Sequence, residues 1–431
     1  MQLKSLGRNI AIMGFGTILA QSINVLVQPL LTRLFPVEDL GIYTFVISIA
    51  NIIIPIASLK LDLLIISEKD ELRAQYITDV CIFINFFIAA ASLVFLIGAD
   101  LLYPSCVLFQ YGRIVYLVPL LVLTNGLRFL FISYNNRYMQ YKLISKLGII
   151  REGARAVLQV LSGVLHLGPI GLIAGYAVSP IFGYRLQIKS YLEGRKKRKA
   201  ITRRQFKDIL LNTGRKQLLF IMPAQLVNSF SSSITTLMIG SLFSPVALGY
   251  YSMGVRVLDT PIIFIASNVS KVCYQKICDN ISHESKVLPV VLPVMGILSI
   301  ISVASFGLLY LIAIPFCQFL FGDSYAIAGA YIQCLCLMYG TRLVATSFAG
   351  AFTAFKRQSY ELILNISLIV CIALAFLIAR LSSASIEVFL TIVSAGYSLI
   401  YATMAIAVIA CCVHHDSSLG KTGTEKSATD D

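Results

Sequence analysis

The sequence predicts an all-α integral membrane protein of about twelve transmembrane helices, arranged as two parallel six-helix halves. Three observations carry that reading: twelve apolar stretches long enough to cross a bilayer, an alternation of cations between successive gaps, and a weak internal repeat. The stretches lie near residues 8–34, 40–66, 76–100, 113–135, 145–166, 168–190, 216–243, 248–272, 287–317, 325–352, 358–380 and 385–413. A helix rising about 1.5 Å per residue needs roughly 20 residues to cross ~30 Å of hydrocarbon, and each stretch meets that length. With 57% hydrophobic and 13% charged residues and a mean hydropathy of +0.82, the chain is no ordinary soluble domain. The first stretch holds Gln21, Ser22, Asn24 and Gln28, is too long for a signal sequence and lacks a cleavage site, so it is expected to remain as the first span.

The cations orient the bundle. Of the 35 Lys and Arg residues, 26 fall in the gaps on the side of the N-terminus, twelve of them between Arg185 and Lys216, and only Arg33, Arg113 and Arg380 fall on the other side. Positive loops stay cytoplasmic, so both termini are expected inside. The net charge of +14 is therefore read as topology and attraction to anionic headgroups, and no nucleic-acid partner is expected.

The repeat divides the chain. Leu34, Phe35, Leu40, Gly41 and Tyr43 align without a gap on Leu242, Phe243, Leu248, Gly249 and Tyr251, an offset of 208, and Gly126 and Arg128 align on Gly340 and Arg342, an offset of 214. Six spans per half give both halves the same orientation, hence a pseudo-twofold axis along the membrane normal with a substrate path at the interface, as in transporters. The expected organisation is an N-terminal lobe (1–190), a basic cytoplasmic linker (191–215), a C-terminal lobe (216–413) and a disordered polar tail (414–431). Pro29, Pro55, Pro119, Pro180, Pro261 and Pro315 lie within spans, where they kink helices.

Several chemistries lack their residues. No GxxxxGK[ST], HExxH or nucleophile elbow occurs, and no gap is long enough for a soluble catalytic domain. The ten Cys show no metal spacing: Cys334 and Cys336 point to divergent helix faces, and Cys411 and Cys412 close the last span as small hydrophobes. His166, His283, His414 and His415 form no ligand pattern. Neither an enzyme nor a bound cofactor or metal is expected. Trp is absent, so Tyr supplies the aromatic belt.

The functional argument rests on charges within the spans: Lys60 and Asp62, Arg128, Arg151, Glu152 and Arg155, Arg256 and Asp259, and Arg342. At about 2.5–3.5 kcal/mol each, lipid-facing charges at these depths are costly, so they are expected to face a wet interior. Lys60, Arg128 and Arg151 lie near the cytoplasmic end and can snorkel; Arg256, Asp259 and Arg342 lie deeper. Arg256 and Asp259, three apart, can pair along one helix face, as can Glu152 and Arg155. Arg151 and Arg155 repel each other unless an anion lies between them. Arg128 and Arg342 have no carboxylate within four residues and could clamp an anion from the two halves. A cavity with surplus arginine suits a diphosphate or an acidic sugar, because guanidinium grips phosphate oxygens bidentately. Lys60, Arg128, Arg151, Arg155, Arg256 and Arg342 are therefore the candidate substrate-binding residues, and Asp62, Glu152 and Asp259 the candidate ion-coupling carboxylates.

Four segments resemble the polysaccharide transporters, particularly the O-antigen flippases, of the multidrug/oligosaccharidyl-lipid/polysaccharide exporter (MOP) superfamily: Leu31–Tyr43 (LTRLFPVEDLGIY), Ser58–Leu64 (SLKLDLL), Asn136–Ser145 (NRYMQYKLIS) and Gly171–Tyr176 (GLIAGY). Pro36 stands one residue earlier than in the family's usual Pro-Glu-Asp turn, and Lys60 replaces a common Arg, which weakens a bidentate phosphate contact there. The resemblance implies a MATE-like fold in the bacterial inner membrane. It also implies translocation of an undecaprenyl-diphosphate-linked oligosaccharide by alternating access, driven by an H⁺ or Na⁺ gradient, with a polysaccharide polymerase and a chain-length regulator as partners. Two rival readings remain: a MATE-type multidrug exporter, which calls for an acidic cavity, and a membrane polymerase or ligase, which calls for a large external loop.

Overall fold

The computed structural model describes the backbone of residues 2–196 and 198–427 and the side chains of 16–196, 198–266, 268–357 and 359–419. Each predicted span falls on helical segments, and little else is present. In order they are α1 (Gln2–Leu34), α2 (Val37–Ile53), α3 (Asp62–Ser67), α4 (Glu71–Leu102), α5 (Val118–Arg137), α6 (Tyr141–Val164), α7 (Gly168–Val178), α8 (Tyr184–Gln187), α9 (Lys189–Lys196), α10 (Arg203–Asp208), α11 (Met222–Leu242), α12 (Pro245–Pro261), α13 (Ser267–Ser282), α14 (Leu288–Phe321), α15 (Ala326–Ser347), α16 (Gly350–Ala354), α17 (Gln358–Ser382) and α18 (Ile386–Ser427).

Among the described residues, seven segments are long and apolar enough to cross a membrane: 37–56, 71–102, 112–137, 288–321, 323–354, 359–382 and 386–419. Part of the first expected span, residues 8–15, lies outside the described side chains, and the fifth to eighth are helical but polar or interrupted. They hold the charges of α6, the Ser and Thr of α11, and the breaks after α7 and α12.

The chain forms two compact units, Met1–Gly249 and Tyr250–Asp431. In the first, α1 packs on α6, α4 on α5, and α11 on α2. One core cluster joins α3, α4 and α5 through Leu61, Ile65, Ile77, Cys81, Leu130 and Tyr134, all nearly or fully buried. In the second unit α15 packs between α14 and α18, and Val291, Met295, Ala345, Phe348 and Val408 belong to one core cluster.

The repeat is visible in local structure as well as in sequence. Gly41 and Gly249 make reciprocal approaches: a β-carbon on Gly41 would strike the Pro245 carbonyl oxygen, and one on Gly249 the Val37 carbonyl oxygen. Val37 and Pro245 are themselves related by the offset of 208, so α2 and the start of α12 cross at a point of local twofold symmetry that only glycine allows. The second helix of each half also breaks at matching places. A 3₁₀ turn at Ile54–Ile56 follows α2, and a π-helical turn at Ile262–Ala266 follows α12, beside Pro55 and Pro261. Proline removes the donor that a continuous helix needs there. Pro180 likewise ends α7, whereas Pro29 and Pro315 sit inside unbroken helices.

The polar stretch from His414, expected as a disordered tail, is drawn as a continuation of α18 as far as Ser427, and its residues 428–431 lie outside the described residues. Asp416 holds it in place, its carboxylate accepting the backbone N–H of Val287 at 2.8 Å and of Leu288 at 3.0 Å. Those donors open α14 and have no partner within that helix, so a carboxylate is stabilising there.

Candidate functional site

The break after α2 makes the first half of the site. Leu59 and Lys60 take positive φ, 51° and 60°, a left-handed conformation that costs non-glycine residues roughly 1 kcal/mol or more each. This unwinding places Asp62 at the first turn of α3, where its carboxylate accepts the hydroxyls of Ser58 at 2.6 Å and Ser133 of α5 at 3.1 Å. Lys60 is half-buried and forms no ion pair among the described residues. Arg137 closes the far end of α3, donating to the carbonyls of Ile65 at 2.8 Å and of Glu68, as a cation at a helix C-terminus should. Two of the segments that carry the family resemblance, Ser58–Leu64 and Asn136–Ser145, thus meet around one broken helix.

Next along α5 and α6, a cavity of about 330 Å³ brings together Arg128, Arg151 and Glu152 with Gly16, Thr17 and Gln21 of α1. Arg151 is 4% exposed and donates to the Gln187 side chain, while Gln187 donates to the Arg128 carbonyl at 3.3 Å. The Nε of Arg128 and the Nε of Arg151 are buried with no hydrogen-bond partner among the described residues. Arg128 lies over the Phe129 ring (4.4 Å to its centroid) and Arg151 over Tyr184 (5.9 Å). Glu152 pairs with Arg155, as their spacing predicts, and Arg155 lies over Tyr176 of the Gly171–Tyr176 segment at 5.5 Å. The two like charges four residues apart on α6 therefore turn to different partners. Two guanidinium groups lining one cavity can hold an anion with several oxygens.

In the second unit, spacing would pair Asp259 with Arg256 on its own helix. Its ion pair is instead with Arg342 of α15, Nη1 to Oδ1 at 3.1 Å, and Arg342 also lies over the Tyr339 ring at 5.2 Å. Arg342, unpaired in its local sequence, is thus neutralised across the helix gap, and 83 residues of separation hide that partner from any helical periodicity. Arg256 sits one turn earlier on α12, with its carbonyl accepting the Thr260 hydroxyl at 2.8 Å. Arg128 belongs to the first unit and Arg342 to the second.

Residues 30–328 match the family model described as polysaccharide biosynthesis protein. The chain belongs to that family. Its fold is similar to that of solved transporters described as belonging to the MOP superfamily. The lipid II flippase MurJ in an inward closed conformation aligns with a TM-score of 0.71 at 14% identity, over 98% of this chain and 93% of that one. An inward-facing multidrug resistance MATE family transporter aligns at 0.66 and 15%, over 93% and 96%. A MOP superfamily transporter from Pyrococcus furiosus, described as having a binding pocket of reversed polarity, aligns at 0.61 and 16%, over 96% of each chain. No curated protein matches the sequence. This member of the polysaccharide biosynthesis family is a multi-pass membrane protein of the MATE and MurJ fold.

Sequence reasoning on charges passed over the neutral residues that organise the site. Gln187, 1% exposed, links the two arginines of the first unit, and Ser58 and Ser133 hold Asp62. A buried glutamine at the end of an apolar stretch was the available signal. Asp79, within the third apolar stretch, was also missed; it binds Arg198 at 2.7 Å and accepts from Tyr191.

Proposed function

We propose that this protein is a flippase that carries an undecaprenyl-diphosphate-linked oligosaccharide across the bacterial inner membrane by ion-coupled alternating access, with both termini cytoplasmic. The observation that carries the reading is the cavity in which the Nε atoms of Arg128 and Arg151 are buried and unpartnered among the described residues. Unused guanidinium donors in a desolvated cavity are costly unless a ligand takes them, and a diphosphate supplies the acceptors. Family membership supports a substrate from polysaccharide assembly, and the strained, broken helix around Asp62 supports transport, since discontinuous helices are how such folds place polar groups in the bilayer. A cation exporter is disfavoured because two arginines and one carboxylate line the cavity. In this reading Lys60, Arg155, Arg256 and Arg342 extend the basic path, and Asp62, Glu152 and Asp259 are the carboxylates available to the coupling ion.

The test is glycan export in cells lacking the chain and complemented with Arg128→Ala, Arg151→Ala or their Lys counterparts, with membrane abundance measured alongside. Loss of charge-assisted bonds worth roughly 1.5–3 kcal/mol lowers export about 10- to 100-fold for each Ala variant, and Lys restores only part of it. Wild-type export by both Ala variants at normal abundance would remove the arginines from the site.

A further inference from the structure

A second cavity, of about 930 Å³, opens where the segment between α9 and α10 folds back against α4. Arg198 anchors that fold. Its side chain, 3% exposed, donates to Gln75 at 2.9 Å, pairs with Asp79 at 2.7 Å and lies 4.8 Å from the Tyr76 ring centroid. Asp79 also accepts the Tyr191 hydroxyl, so the one carboxylate in the cavity is fully engaged. Around it stand Arg195, Lys199, Arg203 and Lys207, all exposed and none in an ion pair among the described residues. Four uncompensated cations at one rim repel one another, and an anion between them removes that repulsion.

The other wall is apolar. Phe83 and Phe86 of α4 line the cavity and stay 60% and 52% exposed, and Phe206 of α10 stacks edge to face on Phe83 with centroids 5.4 Å apart. Counting from Tyr76, where the apolar stretch begins, the two rings lie about 10 and 15 Å into the hydrocarbon. The cavity therefore runs from a cationic rim at the membrane surface to an aromatic floor at acyl-chain depth. Its acceptors are already held, the Asp79 carboxylate by Arg198 and Tyr191 and the Thr202 hydroxyl by the capping box of α10 with Gln205, so the side chains left for a ligand are the cationic donors. Sugar hydroxyls need acceptors as well as donors, so the cavity suits a phosphate on a lipid and not a glycan.

We propose that this cavity binds an anionic glycerophospholipid of the cytoplasmic leaflet, its phosphate at Arg195, Lys199, Arg203 and Lys207 and its acyl chain along Phe83 and Phe86. The site lies apart from the Arg128–Arg151 cavity and stands whether or not the flippase reading holds. The bound lipid pins the connection between the sixth and seventh spans to α4, so membrane composition sets the order of that connection.

The chain has no Trp, which makes a single introduced one a clean reporter. Phe86→Trp protein is reconstituted in phosphatidylcholine vesicles containing a minor fraction of acyl-brominated phosphatidylglycerol or, separately, of acyl-brominated phosphatidylcholine. Phe95→Trp, on the same helix and 65% exposed but outside the cavity, is the control. Brominated phosphatidylglycerol is expected to quench Trp at position 86 several-fold more than brominated phosphatidylcholine, and Trp at position 95 equally with either. Each cation contributes roughly a fivefold preference for anionic lipid, so Lys199→Gln, Arg203→Gln and Lys207→Gln together remove the difference between the two lipids at position 86. These three side chains are exposed, so the fold survives their replacement. Equal quenching at position 86 by both lipids overturns the proposal. So does relief of quenching by undecaprenyl diphosphate when unlabelled phosphatidylglycerol gives none, because the cavity would then serve the substrate lipid.

Discussion

Neutralising either member of the Arg342–Asp259 pair should destabilise the second unit, and neutralising both should restore most of the loss. At an effective dielectric of about 20, unit charges 3.1 Å apart attract by about 5 kcal/mol. The side chains are 30% and 33% exposed, so screening and the cost of desolvating both charges reduce the net coupling to ~1–3 kcal/mol. Arg342→Gln leaves a carboxylate on α12 without its partner, and Asp259→Asn leaves a guanidinium on α15 in the same position. The double variant leaves neither. The assay is a double-mutant cycle on equilibrium unfolding in mixed micelles, with glycan export measured on the same four proteins. Additive effects, with a coupling below about 0.5 kcal/mol, would refute the pairing as an energetic unit. Export separates structure from coupling. If Asp259 exchanges Arg342 for an ion during the cycle, the double variant folds but its export no longer responds to external pH. A pH response like that of the wild type would leave Asp259 a structural partner only.

Other outcomes follow from single features of the two units. Gly41→Val or Gly249→Val drives a side chain into a backbone carbonyl of the opposing helix, so each should lower export sharply; overpacking of this kind costs about 1–3 kcal/mol, and export unchanged by both would deny the close approach. Asp416→Ala removes the two bonds that cap α14 and should cost about 0.5–2 kcal/mol in unfolding, with Asp416→Asn recovering part; no change from Ala would show that the end of α18 does not hold α14. The cation asymmetry requires Cys106 to react with an impermeant thiol reagent from outside the cell and a phosphatase fused after Asp431 to stay silent; an active fusion would overturn the orientation.

Much of the architecture follows from properties a residue carries with it wherever it packs. Span length, apolarity and cation placement answer to the bilayer as solvent, so the helices were readable one stretch at a time, and all twelve stretches are helical. Local spacing was equally legible where both partners share a helix, as in Glu152–Arg155. The offset of 208 carried more than expected, because Gly41 and Gly249 were visible as repeated letters before their reciprocal contact gave them a reason.

Partners on different helices were not legible. Asp259 with Arg342, Asp62 with Ser133, Arg151 with Gln187 and Arg198 with Asp79 are separated by 36 to 119 residues. Whether two such groups meet depends on the rotation and register of whole helices, which many weak packing contacts decide together and no periodicity records. The broken helix shows the same division. Pro55 announced an interruption, but only the packing of α3 against α4 and α5 holds Leu59 and Lys60 in a left-handed turn and turns Asp62 toward two serines. The sequence by itself determined which segments are long and apolar enough to span a membrane and that charges lie among them. The tertiary structure decided which charges cancel, because neutralisation in a low dielectric is settled by distances between helices.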